Sequence, residues 1–202
     1  MENQPVQIEV FFSYACRDSY QVFAWLKRVQ AQGVELRLTW SPFAIQLDGA
    51  SDDWRQPWER ANSELRGFIA AEAARRQGAD AFRRFHHALE AAVHEQFLEL
   101  GEEDTLLGAA EEAGLDVGRF RAAWHSPDLA YLARQSHERA VEHFDVFGTP
   151  TLVFANGQAL HLELAAIPPE TEAVAVFRAL VALAVDHPYV AQLKRTTPLS
   201  TG

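Results

Sequence analysis

The sequence predicts an α/β fold whose sheet-forming parts are separated by a long, all-helical insertion. Residues 6–40 alternate strand, helix and strand, and residues 151–187 contain two strand patterns followed by a helix. Between them, residues 54–144 carry Ala-, Glu- and Arg-rich helical patterns and no convincing strand. We therefore expect one α/β core (residues 1–53 and 145–190) interrupted by a helical insertion (residues 54–144).

The opening segment carries clear element signals. Val6–Phe12 is rich in β-branched and aromatic side chains, which predicts a buried strand. Helical spacing follows over residues 16–31 and stops at Gly33. Residues 34–40 alternate apolar and polar, which is typical of a half-buried strand. This order favours parallel pairing of the two strands through a right-handed crossover.

The insertion is predicted to contain four or five helices. Breaks are expected near Gly78, Gly101, Gly114 and Ser126-Pro127, where helix-stopping residues interrupt the pattern. The Glu and Arg run at residues 72–76 predicts a solvated helix face with ion pairs along it.

The final segment predicts a hairpin and a helix. Residues 151–154 and 159–164 have strand patterns, and Asn156-Gly157 between them favours a type I′ turn. Pro168-Pro169-Glu170 begins a helix that is apolar on nearly every face, which predicts burial. Residues 191–202 are expected to form a loose tail.

Composition limits the partners. The 202 residues include 18 basic and 28 acidic side chains, a net charge of −10, so we expect no binding to nucleic acid. The apolar stretch at residues 174–185 is interrupted by Arg178 and too short to span a bilayer. Residues 1–5 show no signal-peptide pattern. The expected location is therefore the reducing cytoplasm, without a membrane partner.

Cys16 is the single cysteine of the chain and stands where the first strand passes into the first helix. A thiol at a helix N-terminus meets unpaired backbone N–H groups and the positive end of the helix dipole, which favour the nucleophilic thiolate. The alternative is a small, buried apolar side chain. Ser19, one helical turn further on, can offer the thiolate a hydroxyl hydrogen bond.

The segment Phe-Gly-Thr-Pro-Thr at residues 147–151 directly precedes a predicted strand. Proline cannot donate a hydrogen bond to a sheet, so Pro150 is expected at the first residue of a strand or on an edge. The Thr149–Pro150 bond is either an ordinary trans peptide or a cis peptide with a geometric purpose.

The histidines at positions 86, 87 and 94 lie on one predicted helix. A metal site needs closer convergence of ligands and a carboxylate, so we expect no metal site. We expect these histidines at the surface or lining a groove.

The order of these features resembles the thioredoxin-like DsbA family: strand, Cys-x-x-Ser at a helix start, helix, strand, helical insertion, Gly-Thr-Pro-Thr, hairpin and helix. It is similar, more narrowly, to the FrnE-like branch of predicted dithiol–disulfide isomerases, which borders the kappa-class glutathione transferases. Further similar segments are residues 40–43, 85–89 and 110–116. The resemblance implies that Cys16 is the nucleophile and Pro150 a cis proline packed against it. It also implies that Thr149 pairs through its backbone with an extended peptide or a glutathione-like thiol.

The motif departs from the family pattern at its second cysteine, which is Ser19 here, and at the intervening pair Arg17-Asp18. A dithiol enzyme resolves its mixed disulfide with its own second thiol, whereas a mixed disulfide on Cys16 needs an external one. We predict Cys16 and Ser19 as catalytic residues. The predicted substrate-binding residues are Tyr14, Arg17, Thr149 and Pro150.

Three functions follow as alternatives. The leading one is a thiol–disulfide oxidoreductase that acts through Cys16 alone on a protein or small molecule carrying a thiol or disulfide. The second is a kappa-like transferase or isomerase, and the third is a catalytically degenerate module that binds peptides beside Pro150. No bound cofactor is expected, and a glutathione-like thiol is the candidate cosubstrate. The oligomeric state is open, with a homodimer as one option.

Overall fold

A computed structural model of the chain describes residues 5–47, 52–187 and 189–194. The strands are β1 (Val6–Phe12), β2 (Leu36–Pro42), β3 (Thr151–Phe154) and β4 (Ala159–His161). They form one sheet in the order β2-β1-β3-β4, in which β1 is parallel to β2 and the other neighbours are antiparallel. The predicted α/β fold is confirmed. Residues 195–202, most of the predicted tail, lie outside the described residues.

Strand β2 begins and ends two residues later than its sequence pattern predicts. The backbone N–H of Val34 donates to the carbonyl of Val29 (3.4 Å) at the end of helix α1 (Arg17–Ala31), so Val34 still caps that helix. Gly33, at φ +83°, turns the chain there. The strand then stays paired with β1 as far as Pro42.

The helical insertion is also confirmed. Among the described residues it contains two short 3₁₀ turns and five α-helices. The helices are α2 (Ser63–Arg75), α3 (Ala79–His94), α4 (Glu103–Glu112), α5 (Val117–Ala123) and α6 (Pro127–Phe144). Gly101 separates α3 from α4 at a close approach, because a Cβ there would lie 2.7 Å from the Cα of Ser63. A glycine is therefore required at this break.

The insertion and the sheet share one hydrophobic core. The ring of Phe12, on β1, lies 5.7 Å from Trp40, 6.2 Å from Phe68 and 4.9 Å from His86, measured between ring centroids. These contacts place α2 and α3 directly against the sheet end that carries the β1–α1 junction.

The solvated face predicted for residues 72–76 is wrong in part, because α2 packs against α3, α5 and α6. Glu72 is buried and pairs with Arg75 (3.2 Å). The Arg75 guanidinium also donates to the carbonyl of Trp40 (3.0 Å) and lies 3.6 Å from the centre of the Phe82 ring. The pair therefore joins α2 to β2 and α3.

The hairpin between β3 and β4 is not a type I′ turn. Gly157 has φ +81° and its N–H donates to the carbonyl of Phe154 (2.8 Å), while Asn156 does not adopt a positive φ. This is a three-residue loop with glycine in the left-handed position. The Asn156 side chain instead donates to the carbonyl of Ala184 (3.0 Å).

The final helix, α7 (Glu170–Val181), packs on α1, where the indole N–H of Trp25 donates to the carbonyl of Ala173 (3.0 Å). Ala173 and Phe177 are its buried residues, so the predicted burial of the whole helix is wrong. Ala and Val side chains are small, and leaving them at the surface exposes little apolar area to water. No helix in the described ranges is long and apolar enough to cross a bilayer.

Candidate active site

Cys16 occupies the N-cap position of α1, directly after the turn that leaves β1. Its backbone is extended (φ −101°, ψ 115°), and its carbonyl accepts from the N–H of Tyr20 (3.2 Å), the first bond of the helix. Its own N–H donates to the carbonyl of Ser13 (3.1 Å). The residue is buried, with 9% of its surface exposed, and its N-cap position places the thiol at the positive end of the helix dipole.

Thr149 lies against this thiol although 133 residues separate it from Cys16 in the chain. Antiparallel pairing of β1 with β3 opposes Phe11 to Thr151, so the end of β1 and the start of β3 share one edge. The Cys16 thiol donates to the carbonyl of Thr149 (3.4 Å), and the Thr149–Pro150 peptide bond is cis. The structure thus brings together the two sequence features that predicted the site.

Ser19 is completely buried, and its hydroxyl accepts from the backbone N–H of Ser13 (3.3 Å). Within the described part of the chain, the hydrogen bond found for the thiol goes to Thr149 and not to Ser19. Ser19 therefore supports the turn that presents Cys16.

The remaining two predicted residues differ in exposure. Arg17, the first residue of α1, is exposed beside the thiol. The Tyr14 side chain is completely buried, with its hydroxyl 3.0 Å from His86 Nδ1. Burial, followed by the charge of Glu90, raises the pKa of Tyr14 well above its ordinary value. In this structure the Tyr14 ring lies in the core and does not reach the surface.

His86 corrects the expectation of a surface or groove-lining histidine. His86 lies on α3 and is completely buried among aromatic rings, mostly from other elements. Burial, with smaller effects of His87 and Arg75, lowers the pKa of His86 well below its ordinary value. The neutral imidazole can lie in this apolar setting, whereas a charged one could not do so at low cost. His94 contacts the turn that carries Cys16, since its Nε2 donates to the backbone carbonyl of Tyr14 (3.0 Å).

Glu64, on α2, is a site-supporting residue that the sequence does not indicate. Its buried carboxylate accepts from the Ser13 hydroxyl (2.5 Å) and from the backbone N–H groups of Ile45 (3.0 Å) and Gln46 (2.9 Å). The Ser13 hydroxyl in turn accepts from the N–H of Ala15 (3.1 Å). The insertion therefore holds the turn that carries Cys16 through the Glu64 carboxylate as well as through His94.

The strand order, the thiol at the start of α1 and the Thr-Pro loop beside it define a thioredoxin-like fold of the thiol–disulfide oxidoreductase class. The chain belongs to the family of the DSBA-like thioredoxin domain, whose family model matches residues 7–169. The narrower FrnE-like assignment stays a prediction.

Two curated relatives and two solved structures are similar to this chain. YwbO of Bacillus subtilis (strain 168) is 25% identical, over 75% of this chain and 88% of its own length. SpxH of Shouchella clausii (strain KSM-K16), a ClpXP adapter protein, is 39% identical over 88 residues, 44% of this chain but 29% of that relative.

A thioredoxin-like oxidoreductase from Silicibacter pomeroyi DSS-3 has a TM-score of 0.58 at 22% identity, covering 86% of this chain and 87% of its own. The thiol-disulfide exchange protein alpha-DsbA2 from Wolbachia pipientis has a TM-score of 0.63 at 18% identity, covering 90% of this chain and 82% of its own. At these identities the two structures establish the fold.

Proposed function

We propose that this protein catalyses thiol–disulfide exchange through Cys16 alone, with an external thiol supplying the second sulfur. The observation that carries the proposal is the thiol itself: the single cysteine of the chain, at the N-cap of α1, with its sulfur 3.4 Å from the Thr149 carbonyl oxygen. A helix N-terminus stabilises the thiolate, the reactive form in exchange.

The reaction needs two external partners. The Cys16 thiolate attacks one sulfur of a disulfide R–S–S–R′, forming Cys16–S–S–R and releasing R′–S⁻. A second thiolate, R″–S⁻, then attacks the sulfur of R, forming R–S–S–R″ and releasing the Cys16 thiolate. Ser19, where the family carries its second cysteine, has no sulfur to perform this second step. A reducing compartment such as the cytoplasm supplies the external thiol, and we place the protein there.

The Thr149 carbonyl has two roles in this scheme. In the resting protein it accepts a hydrogen bond from the Cys16 thiol. A thiolate has no proton to donate, so ionisation of Cys16 frees this carbonyl to accept a backbone N–H from the substrate. Strand-like pairing with an extended peptide, or with the amides of a glutathione-like thiol, would then align a substrate sulfur with Cys16.

The rim of the site favours a substrate with both an anionic and an apolar group. Arg17 is exposed next to the thiol, and the Phe147 side chain, two residues before Thr149, is 79% exposed. A guanidinium binds carboxylates well, and an exposed aromatic ring offers apolar contact area. Glutathione disulfide meets the first requirement and a polypeptide disulfide can meet both.

Intact mass measurement after incubation with glutathione disulfide tests the proposal. The wild-type protein should gain one glutathione on Cys16, and added free thiol should remove it. The Cys16→Ser variant is the control and should gain nothing. Arg17→Gln should form the adduct more slowly, by about three- to tenfold, while its rate of alkylation by uncharged iodoacetamide stays within about twofold of wild type. Absence of any adduct on the wild type would contradict exchange chemistry, as would turnover that survives in Cys16→Ser.

A protein-binding function is the second candidate, favoured by the similarity to SpxH, a ClpXP adapter protein. In that case the region beside Pro150 would bind a partner segment without redox turnover. Partner binding that is unchanged in Cys16→Ser, together with no turnover of any disulfide, would favour this function over exchange.

A further inference from the structure

Strand β2 forms one edge of the sheet, and no strand of the described residues pairs with its outer side. In the parallel register of β1 and β2, Val6 lies opposite Leu36, and the N–H of Val6 donates to the carbonyl of Glu35 (3.0 Å). Because the backbone groups of successive residues point to opposite sides of a strand, alternate residues of β2 present theirs to the open edge. These residues are Leu36, Leu38 and Trp40.

The middle of this edge is free for pairing, whereas its two ends are partly occupied. Gln30 Nε2 donates to the carbonyl of Leu36 (3.5 Å), and the Arg75 guanidinium donates to the carbonyl of Trp40 (3.0 Å). Leu38, between them, has no such partner among the residues that the structure describes. An extended peptide antiparallel to β2 can therefore exchange both backbone hydrogen bonds with Leu38.

A cavity of about 610 Å³ lies beside the same strand, between α1 and α3. Its lining includes the buried rings of Phe23 and Phe82 and the exposed side chains of Lys27, from α1, and Arg83, from α3. Lys27 makes no ion pair within the described ranges, and Arg83 pairs only at the exposed surface, with Asp80 (3.0 Å). The cavity therefore combines apolar contact area with positive charge, on a chain whose net charge is −10.

His87, on α3, shows that the two cations converge on one part of the cavity. Its ring lies 4.9 Å from the ring of Phe23, measured between centroids. Burial is the largest effect that lowers the pKa of His87, followed by the charges of Lys27 and Arg83. An anionic group bound in the cavity would offset the repulsion between these charges.

We propose that the open edge of β2 is a docking site for an acidic segment of a partner protein, which adds to the sheet as an extended strand. The peptide residue opposite Leu38 would place its side chain on the cavity face of the sheet, where Leu38 lies. Acidic residues two positions before and after it would share that face and meet Lys27 and Arg83. A second copy of this chain is disfavoured as the occupant, because its own β2 edge carries the same basic side chains.

The docking site is separate from the proposed exchange reaction. Lys27 lies eleven residues after Cys16 on α1, which corresponds to about 16 Å along the helix. A partner bound at β2 would leave the thiol accessible, so docking and exchange can be tested independently.

Fluorescence anisotropy with a labelled peptide tests the site. The probe is the nine-residue peptide acetyl-Glu-Thr-Glu-Thr-Val-Thr-Glu-Thr-Glu-amide, which has no sulfur, and its control carries Lys in place of every Glu. The acidic peptide should bind saturably and the basic one should not. Lys27→Gln and Arg83→Gln should each weaken binding by about two- to fivefold, whereas Arg119→Gln, at an exposed position on α5, should have no effect. Cys16→Ser should bind like wild type, whether or not the wild type exchanges disulfides.

Two measurements distinguish strand addition from simple charge attraction. The Leu38 amide should exchange its hydrogen at least about tenfold more slowly when the peptide is bound, by NMR, whereas the Thr39 amide, which faces β1, should change little. The same peptide with an N-methylated valine keeps its charge but cannot donate to the Leu38 carbonyl, and should bind about three- to tenfold more weakly.

Three results would overturn the proposal. The first is no binding of the acidic peptide, and the second is equal binding of the acidic, basic and N-methylated peptides. The third is a Leu38 amide that becomes protected without peptide as the protein concentration rises, which would assign the edge to a second copy of the chain.

Discussion

Replacement of Glu64 by alanine should destabilise the protein more than the same replacement of a surface glutamate, because the Glu64 carboxylate connects three segments. It accepts hydrogen bonds from the Ser13 hydroxyl and from the backbone N–H groups of Ile45 and Gln46. Ser13 is completely buried, so its hydroxyl would lose its acceptor without gaining water, at about 1–3 kcal/mol. Ile45 and Gln46 are exposed, so their N–H groups recover water and add only about 0.5–1 kcal/mol each.

The expected loss in the free energy of unfolding is therefore about 3 kcal/mol. For a chain of this length that corresponds to a decrease in Tm of roughly 6–12 °C. Urea unfolding followed by circular dichroism measures the loss, with Glu111→Ala on α4 as the control because Glu111 is exposed. The control should change by less than about 0.5 kcal/mol. A Glu64→Ala variant as stable as the control would refute the anchoring role of this carboxylate.

Two further predictions concern buried groups. The low pKa of His86 means that the unfolded chain takes up a proton below about pH 6.5 that the folded chain does not, so stability decreases as pH falls through that value. His86→Phe should reduce the slope of the unfolding free energy against pH, between pH 6.5 and 5, by up to about 1.4 kcal/mol per pH unit. Replacement of the exposed His143 by Gln should leave this slope unchanged. Equal slopes in wild type and His86→Phe would contradict the prediction. Arg75→Lys should lose about 1–2 kcal/mol in urea unfolding, because an ammonium cannot both stack on a ring and donate to Trp40 in the same way. Arg83→Lys, whose ion pair is exposed, should lose less than about 0.5 kcal/mol, and equal losses in the two variants would show that the Arg75 contacts contribute nothing specific.

Much of the fold could be predicted from the sequence because its signals are local. The bounds of β1 and β3 agree with the apolar runs. Helix α1 begins at Arg17, one residue after Cys16, where the sequence predicts the start of the helix. Cys16 and the Thr-Pro loop could be placed together because the resemblance implied that Pro150 packs against Cys16. Periodicity alone does not determine which strands become neighbours.

The supporting residues of the site could not be predicted, because their burial depends on how the insertion packs on the sheet. Glu64 stands in a helix with several Glu and Arg residues, and such residues are normally solvated. His86 and His87 are adjacent in sequence, yet His86 is completely buried and His87 is only partly so. These differences arise from tertiary contacts that no short pattern contains.

The most direct test of the central claim, that Cys16 exchanges disulfides without an internal partner, compares the wild type with Ser19→Cys. Both proteins are treated with glutathione disulfide, freed of excess reagent and followed by intact mass with no thiol added. The wild-type protein should retain one glutathione until an external thiol is supplied, whereas Ser19→Cys should lose it and form an internal disulfide. A wild-type adduct that disappears without added thiol, or that never forms, would contradict the account.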